Sequence, residues 1–374
     1  MKYYYKYLII SNLNLFIVIF SFLTTLSFAQ PGKNGAVTIV ANTVVNSYQR
    51  LNGNLAVGAT AITLNAAMPT GLAIGDLIMI YQAQGATINT IDNVNYGDVT
   101  AYNNAGLYEF AYIQAVAGVN LTVSCGIKNA YIGTGITRAQ VIKVPQYTTL
   151  TINAGFSILP TAWNGQTGGI VAISAQSIIN NGSINASNSG FRGGALSNNN
   201  AGAGTDIITY RTIAVNDAGE KGEGIAGTQA DYDLLNGRYG RGAAANGGGG
   251  ANNHNAGGGG GSNGNNGNVW SGQGVMPLNV PAWSAGWLLD PGAIANGNAI
   301  TNSSGGGRGG YSLSDANLNA LLVGPGVATW LGDTRKERGG LGGRPLTAAS
   351  ENRIFFGGGG GAGHQNGGED PLNN

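Results

Sequence analysis

The sequence predicts an all-β fold that passes into a region of packed, three-residue-per-turn glycine helices, with few or no α-helices. Three observations carry this. Short runs rich in β-branched and aromatic residues, bounded by Gly, Pro or Asn, fill Ala36 to Val144. Still shorter runs with tight polar corners fill Tyr147 to Ala186. Beyond them, consecutive glycines stand at Gly247 to Gly250, Gly257 to Gly261, Gly305 to Gly307 and Gly357 to Gly361. Of 66 glycines, 18 precede Gly190 and 48 lie between it and Asn374, so the second half is far above the usual glycine content of about 7%.

The first 29 residues read as an export address. Lys2 and Lys6 give a positive start, an apolar run extends from Leu8 to Phe28, and Ser27-Phe28-Ala29 supplies small residues at the two positions a signal peptidase reads. Cleavage is expected after Ala29. An uncleaved anchor is the alternative, because the stretch approaches the length of about 20 residues that spans a bilayer. Either reading places the bulk of the protein outside the cytoplasm, and cleavage leaves a mature chain with no membrane insertion.

Residues 30–145 read as a small β-rich N-terminal domain. Its strands are expected at Ala61 to Leu64, Asp76 to Gln82, Tyr108 to Ala117, Asn120 to Ser124 and Gln140 to Val144. Ala117-Gly118-Val119-Asn120 reads as a hairpin turn in which glycine supplies the positive φ. Cys125 is the only cysteine, which excludes an intrachain disulfide and suggests a small buried hydrophobe in a strand.

Residues 146–190 read as β-solenoid-like rungs. Thr149 to Ile152, Gly169 to Ser174, Gln176 to Ile179 and Ser183 to Ala186 are joined by Asn/Gly corners such as Asn181-Gly182, and such segments stack by burying their few aliphatics on the next rung. A β-sandwich satisfies the same strands.

Residues 191–374 form the glycine/asparagine-rich region. Gly219, Gly222, Gly224 and Gly227 break the strict triplet of collagen, and ten prolines are too few for it. Segments such as Gly247 to Asn253 lack the carboxylates of calcium-binding nonapeptide repeats. A flexible linker is the serious alternative. Against it stand Trp270, Trp283, Trp287, Tyr311, Trp330, Phe355 and Phe356, large apolar surfaces that an unfolded tract would leave in water. Glycine helices could instead pair N–H to C=O laterally, since no side chain holds them apart.

Charge and motifs narrow the function classes. Lys plus Arg number 18 against 17 Asp plus Glu, a net charge of +1, and charged residues are 9% of the chain. That balance offers no electrostatic footprint for nucleic acid. No His-Glu-x-x-His site or Walker loop occurs. Asp206, Arg211, Asp231, Asp233 and Arg238 concentrate charge in one stretch, the place a polysaccharide lyase or hydrolase would use, although they read more simply as solubilising a loop. His254 and His364 occupy equivalent places in two similar glycine blocks, but without carboxylate or Cys partners they fall short of a metal set, and they read as caps of glycine-helix ends. No catalytic residue, metal or cofactor is assigned. Asn120, Asn181, Asn185 and Asn302 begin glycosylation-type triplets, which an Asn- and Ser-rich chain makes by chance.

Gly190-Phe191-Arg192-Gly193-Gly194, Gly307-Arg308-Gly309-Gly310-Tyr311-Ser312, Gly339 to Leu346, and Phe355-Phe356 leading into Gly357 to His364 carry a resemblance over roughly Asn46 to Gly368. The chain resembles glycine-rich exported surface proteins of Bacteroidetes, large type IX secretion-associated adhesins or matrix components. Its glycine blocks are similar in composition to the polyglycine-helix sandwiches of phage adhesins. The resemblance implies a C-terminal sorting domain, and none is seen up to Asn374, which reads as a truncated product.

The expectation is therefore a secreted or outer-surface, non-catalytic adhesin or structural protein whose partners are surface glycans, other surface polymers or neighbouring surface proteins. Trp283, Trp287, Tyr311 and Trp330 are the candidate ligand-binding aromatics, with neighbouring Asn supplying hydrogen bonds. A polysaccharide-active β-solenoid protein is the first alternative. An ice-binding protein is the second, although regular Thr or Ala arrays are not visible.

Overall fold

The computed structural model describes residues 31–198, 209–213, 218–252, 256–272, 274, 303–309, 339–348 and 352–365. The expected leader Met1–Ala29 lies outside them. Val37–Ile39 (β1) and Thr43–Val44 (β2) lead to Ser47–Arg50 (β3), Asn54–Leu55 (β4), Ala61–Thr63 (β5), Leu77–Gln84 (β6), Thr87–Ile88 (β7), Val99–Ala101 (β8), Tyr108–Ala117 (β9), Asn120–Val123 (β10), Tyr131–Ile132 (β11) and Arg138–Val144 (β12). Gln146–Ile152 (β13), Ser157–Leu159 (β14), Ser174–Asn180 (β15), Ser183–Ile184 (β16), Ser197–Asn198 (β17) and His364–Gln365 (β18) follow. Among the described residues the only helix is the six-residue Gln229–Leu234 (α1), so the all-β expectation stands.

An antiparallel six-stranded sheet in the order β3-β12-β6-β9-β10-β5 organises the first part of the chain. Its central strand β6 is buried along all eight residues. The period of two sends Ile78 and Ile80 to one side, where they meet Leu51, Ile62, Leu121 and Val141. Leu77, Met79 and Tyr81 go to the other side and meet Trp163, Phe191, Tyr232 and Phe356. The second of these faces is thus closed by residues far downstream. The β9–β10 hairpin turns on Gly118 at φ 62°, as its sequence required.

Cys125 corrects the expectation of a buried strand residue. It falls two positions past the end of β10, where the chain bends away from the sheet, and its side chain is exposed.

Two parallel sheets, β1-β13-β15 and β2-β14-β16, stack as three rungs. Val37 pairs with Leu150, which pairs with Ile178, and the corner strands repeat the step through Thr43, Ile158 and Ile184. Ile39, Leu150, Ile152 and Ile158 fill the interior. The first rung comes from the residues just before β3, so the six-stranded sheet is inserted between the first and second rungs. Gly169 to Ile173, read as strand, has no ladder partner; Ile170 and Ala172 are instead buried against the six-stranded sheet.

The glycine segments are ordered by lateral hydrogen bonds that recur every third residue. Gly248 and Ala251 N–H donate to Gly359 and Ala362, and Gly359 and Ala362 N–H donate to Glu223 and Glu220. Gly358 and Gly361 donate to Ser262 and Gly259, Gly340 and Gly343 to Gly257 and Gly260, and Gly306 and Gly309 to Gly343 and Gly340. A three-residue step on donor and acceptor alike is the signature of extended helices with three residues per turn, packed both parallel and antiparallel. Such packing requires glycine wherever two backbones meet. A Cβ on Gly249 would overlap the carbonyl of Arg241, and one on Gly361 would overlap that of Gly249.

A few side chains tie the array together, and Phe356 joins it to the sheet. Phe356, immediately before the five-glycine run, lies 5.3 Å from Tyr81, 5.4 Å from Trp163 and 5.1 Å from Phe191, ring centre to ring centre. Buried Asn246 donates to the Ser262 and Phe356 carbonyls and accepts from Ile225 N–H, crosslinking three segments. Lys221 is wholly buried; burial pushes its ammonium well below the ordinary lysine range, and its Nζ donates to the carbonyls of Tyr210, Tyr239 and Gly240. Three acceptors use all three N–H bonds that the charged form offers. Arg344 is buried as well, stacked 3.6 Å over the Trp270 ring and paired with Asp98, while burial pushes its guanidinium down to about 10.

At the start of β6, burial opposes the charge on Asp76, but hydrogen bonds from Lys33 and the Ala73 N–H, with the charges of Lys143 and Lys33, hold its carboxyl below the ordinary 3.8. A depressed carboxyl contributes stability that is complete above its unfolded value and is lost as pH falls through the folded one. Thermal unfolding midpoints should therefore fall as pH drops below about 4, and Asp76→Asn should flatten that dependence. Scanning calorimetry from pH 7 to 2 reads both; an unchanged slope in the variant would contradict the assignment. Gly249→Ala should lower the midpoint steeply by forcing two backbones apart. Gly264→Ala, where a Cβ meets nothing within 4 Å, should be neutral or raise stability by about 0.4–1 kcal/mol.

Candidate functional site

Two adjoining troughs lie where the last rung, the segment 190–195 and the segment 356–360 meet. The larger, about 620 Å3, is lined by Trp163, Ala186 to Asn188, Gly190 to Gly193, Asn263 and Gly357 to Gly360. The smaller, about 350 Å3, is lined by Arg192, Gly193, Ala195, Glu220, Thr228 to Ala230 and Arg238. Arg192 and Gly193 form the ridge between them.

The ridge is held by a buried carboxylate. Glu223, with no exposed side-chain surface, accepts from Trp163 Nε1 at 3.1 Å, from Arg192 N–H at 2.9 Å, and from Arg192 Nε and Nη2 at 3.0 and 2.5 Å. The hydrogen bonds to Glu223 outweigh the opposing desolvation and raise the Arg192 guanidinium above its ordinary value. One helical turn away, Glu220 accepts from Arg238 Nε at 2.6 Å and from the Ala195 N–H at 2.5 Å. Gln229 donates to the Gly193 carbonyl at 2.9 Å and closes the floor of the smaller trough. Each charged group at the troughs has an opposite charge in contact, so the surface is polar and locally neutral.

Backbone donors complete the larger trough. In the segment 357–362, residues 358 and 361 donate toward 262 and 259, and residues 359 and 362 toward 223 and 220. The third direction belongs to Gly357 and Gly360, whose N–H groups have no acceptor among the described residues and whose backbone lines the trough. One turn separates these two donors, about 9 Å along the helix.

The charge cluster read from the sequence is largely structural. Asp231 is buried, pairs with Arg138 at 3.1 Å and caps α1 by accepting from Thr228 N–H and Oγ1 at 2.9 and 2.7 Å. Arg211 donates to the Asn236 carbonyl, and Asp233 sits 3.5 Å from Arg238. Only Arg238 reaches a trough. Asp206 lies outside the described residues, as do the four candidate aromatics Trp283, Trp287, Tyr311 and Trp330, and His254. His364 is buried in β18, with its N–H on the Ala256 carbonyl. Among the described residues no three His, Cys, Asp or Glu gather as a metal set, and no helix is long and apolar enough to cross a membrane.

Sequence reasoning missed Glu220 and Glu223. Their spacing of three within a glycine-rich stretch was the available signal, because a helix with three residues per turn puts both on one face.

No family model matches the chain, and no curated protein does. Among solved structures, it is similar to the tailspike gp61 of Pseudomonas phage phi297 at 15% identity and TM-score 0.18, covering 34% of this chain and 22% of that one. Similarity to the tailspike gp49 of Pseudomonas phage LKA1 is at 14% identity and TM-score 0.19, covering 34% and 23%. The gp54 tailspike of Acinetobacter baumannii bacteriophage AP22, in complex with A. baumannii capsular saccharide, overlaps at 14% identity and TM-score 0.21, covering 46% and 27%. The chain therefore spans less than a third of the length of each of these three proteins.

Proposed function

We propose that the protein is an exported, non-catalytic surface or matrix component of adhesin type, a rigid scaffold whose paired troughs hold surface glycans. The carrying observation is the locally neutral, hydrogen-bonding surface of the troughs, mounted on a hydrogen-bonded glycine array. A rigid site loses little entropy on binding, and a compensated polar surface suits hydroxyl-rich, uncharged polymers. Export by cleavage near Ala29, and kinship with type IX-secreted glycine-rich surface proteins of Bacteroidetes, belong to this proposal and rest on the leader and the glycine motifs. The ion pairs on Glu220 and Glu223 support a binding role, since a hydrolytic carboxyl must be free to give and take a proton.

Polysaccharide cleavage is the second reading, favoured by one feature. Glu220 and Glu223 stand three residues apart beside the paired troughs, a spacing that in a helix with three residues per turn puts two carboxylates on one side, as the acid and base of glycoside hydrolysis require.

The mature chain from Gln30 should bind neutral glycans on an array without releasing reducing ends. Arg238→Ala with Gln229→Ala should weaken binding about tenfold, and a Trp283→Ala, Trp287→Ala pair tests the other candidate surface. Release of reducing ends that Glu220→Gln abolishes while binding persists would replace the adhesin reading with the enzymatic one. Absence of any glycan binding would refute both.

A further inference from the structure

We propose that the larger trough is a subsite for N-acetylated sugars, a ligand class narrower than the general glycan reading on which it rests. Gly357 and Gly360 present backbone N–H groups that have no acceptor among the described residues. A backbone N–H donates only, so its best partner is a strong acceptor that asks for no acceptor in return. An amide carbonyl meets that condition; a hydroxyl must place its own proton as well.

Charge and floor narrow the choice further. Arg192, the one guanidinium on this trough, is already paired with buried Glu223, which leaves no uncompensated positive charge to favour a carboxylate or sulfate. Trp163 and Phe191, packed edge to face at 6.0 Å, give the lining an apolar component beside the donors. An acetamido group combines one carbonyl acceptor with one methyl, matching an N–H donor beside an apolar floor.

Sterics set these two glycines apart. At the neighbouring positions of the same segment, Gly358, Gly359 and Gly361, an added Cβ collides with backbone. At Gly360 the nearest atom would be 3.6 Å away and at Gly357 3.5 Å, both ordinary contacts, and neither residue has a positive φ. The fold therefore tolerates alanine at both positions, whereas a ligand seated on their N–H groups meets the new methyl.

The test is isothermal titration of the mature chain with chitotetraose, cellotetraose and the deacetylated glucosamine tetramer, which share a backbone and differ at the acetamido position. Chitotetraose should bind at least about tenfold more tightly than the other two, roughly one hydrogen bond of difference. Gly360→Ala and Gly357→Ala should each weaken it by a similar factor with unchanged thermal midpoints. Equal affinity for the three tetramers, or unaltered chitotetraose binding in both alanine variants, would overturn the proposal and leave the general glycan reading intact. A wild-type protein that binds no member of a broad neutral glycan array would overturn both.

Discussion

The structure depends on one constraint, that neighbouring backbones in the glycine region approach closely enough to exchange N–H···O=C bonds at every third residue. Glycine loses more conformational entropy on folding than any other residue, so a quarter-glycine region forms only if its backbone groups are comprehensively paired. Lateral pairing supplies that compensation without a conventional hydrophobic core. Where two backbones of the array meet, as at Gly249 and Gly361, one added methyl overlaps a neighbouring carbonyl.

The array does not stand alone. Phe356 sets the position of the segment that follows by packing among Tyr81, Trp163 and Phe191, and so links the six-stranded sheet, the rungs and the glycine helices in one cluster. Lys221 and Arg344 carry buried charge beside the array, Lys221 with its donors on three backbone carbonyls and Arg344 with its donors on the Val94 and Tyr96 carbonyls and on Asp98. The troughs follow from this assembly. They occur where the segments 190–195 and 356–360 meet the last rung, and two backbone donors there have no acceptor among the described residues.

Much of this was legible in the sequence. The β-branched and aromatic run Asp76 to Gln82 and the Gly118 turn announced the central strand and its hairpin, because strand composition and turn chemistry are local. The aromatics beside glycine runs signalled packing, and Phe355-Phe356 and Trp270 are packed as that argument required. The first rung was not legible: Val37–Ile39 pairs with Leu150 to Ile152 across more than a hundred residues, and no local pattern encodes such a partner. The site was hidden for the same reason. Glu223 gains its meaning from Trp163 and Arg192, and the donors of Gly357 and Gly360, which have no acceptor among the described residues, become visible only once the other two directions of their helix are known to be filled.

Amide hydrogen exchange on the mature protein, resolved peptide by peptide through the glycine segments, tests the central claim most directly. The account predicts slow exchange at Gly248, Gly249, Gly358, Gly359 and Gly361, whose N–H groups are bonded within the array, and fast exchange at Gly357 and Gly360, whose N–H groups have no acceptor among the described residues. Random-coil exchange rates at all of them would contradict it, leaving the glycine region a solvated spacer and the troughs without a wall.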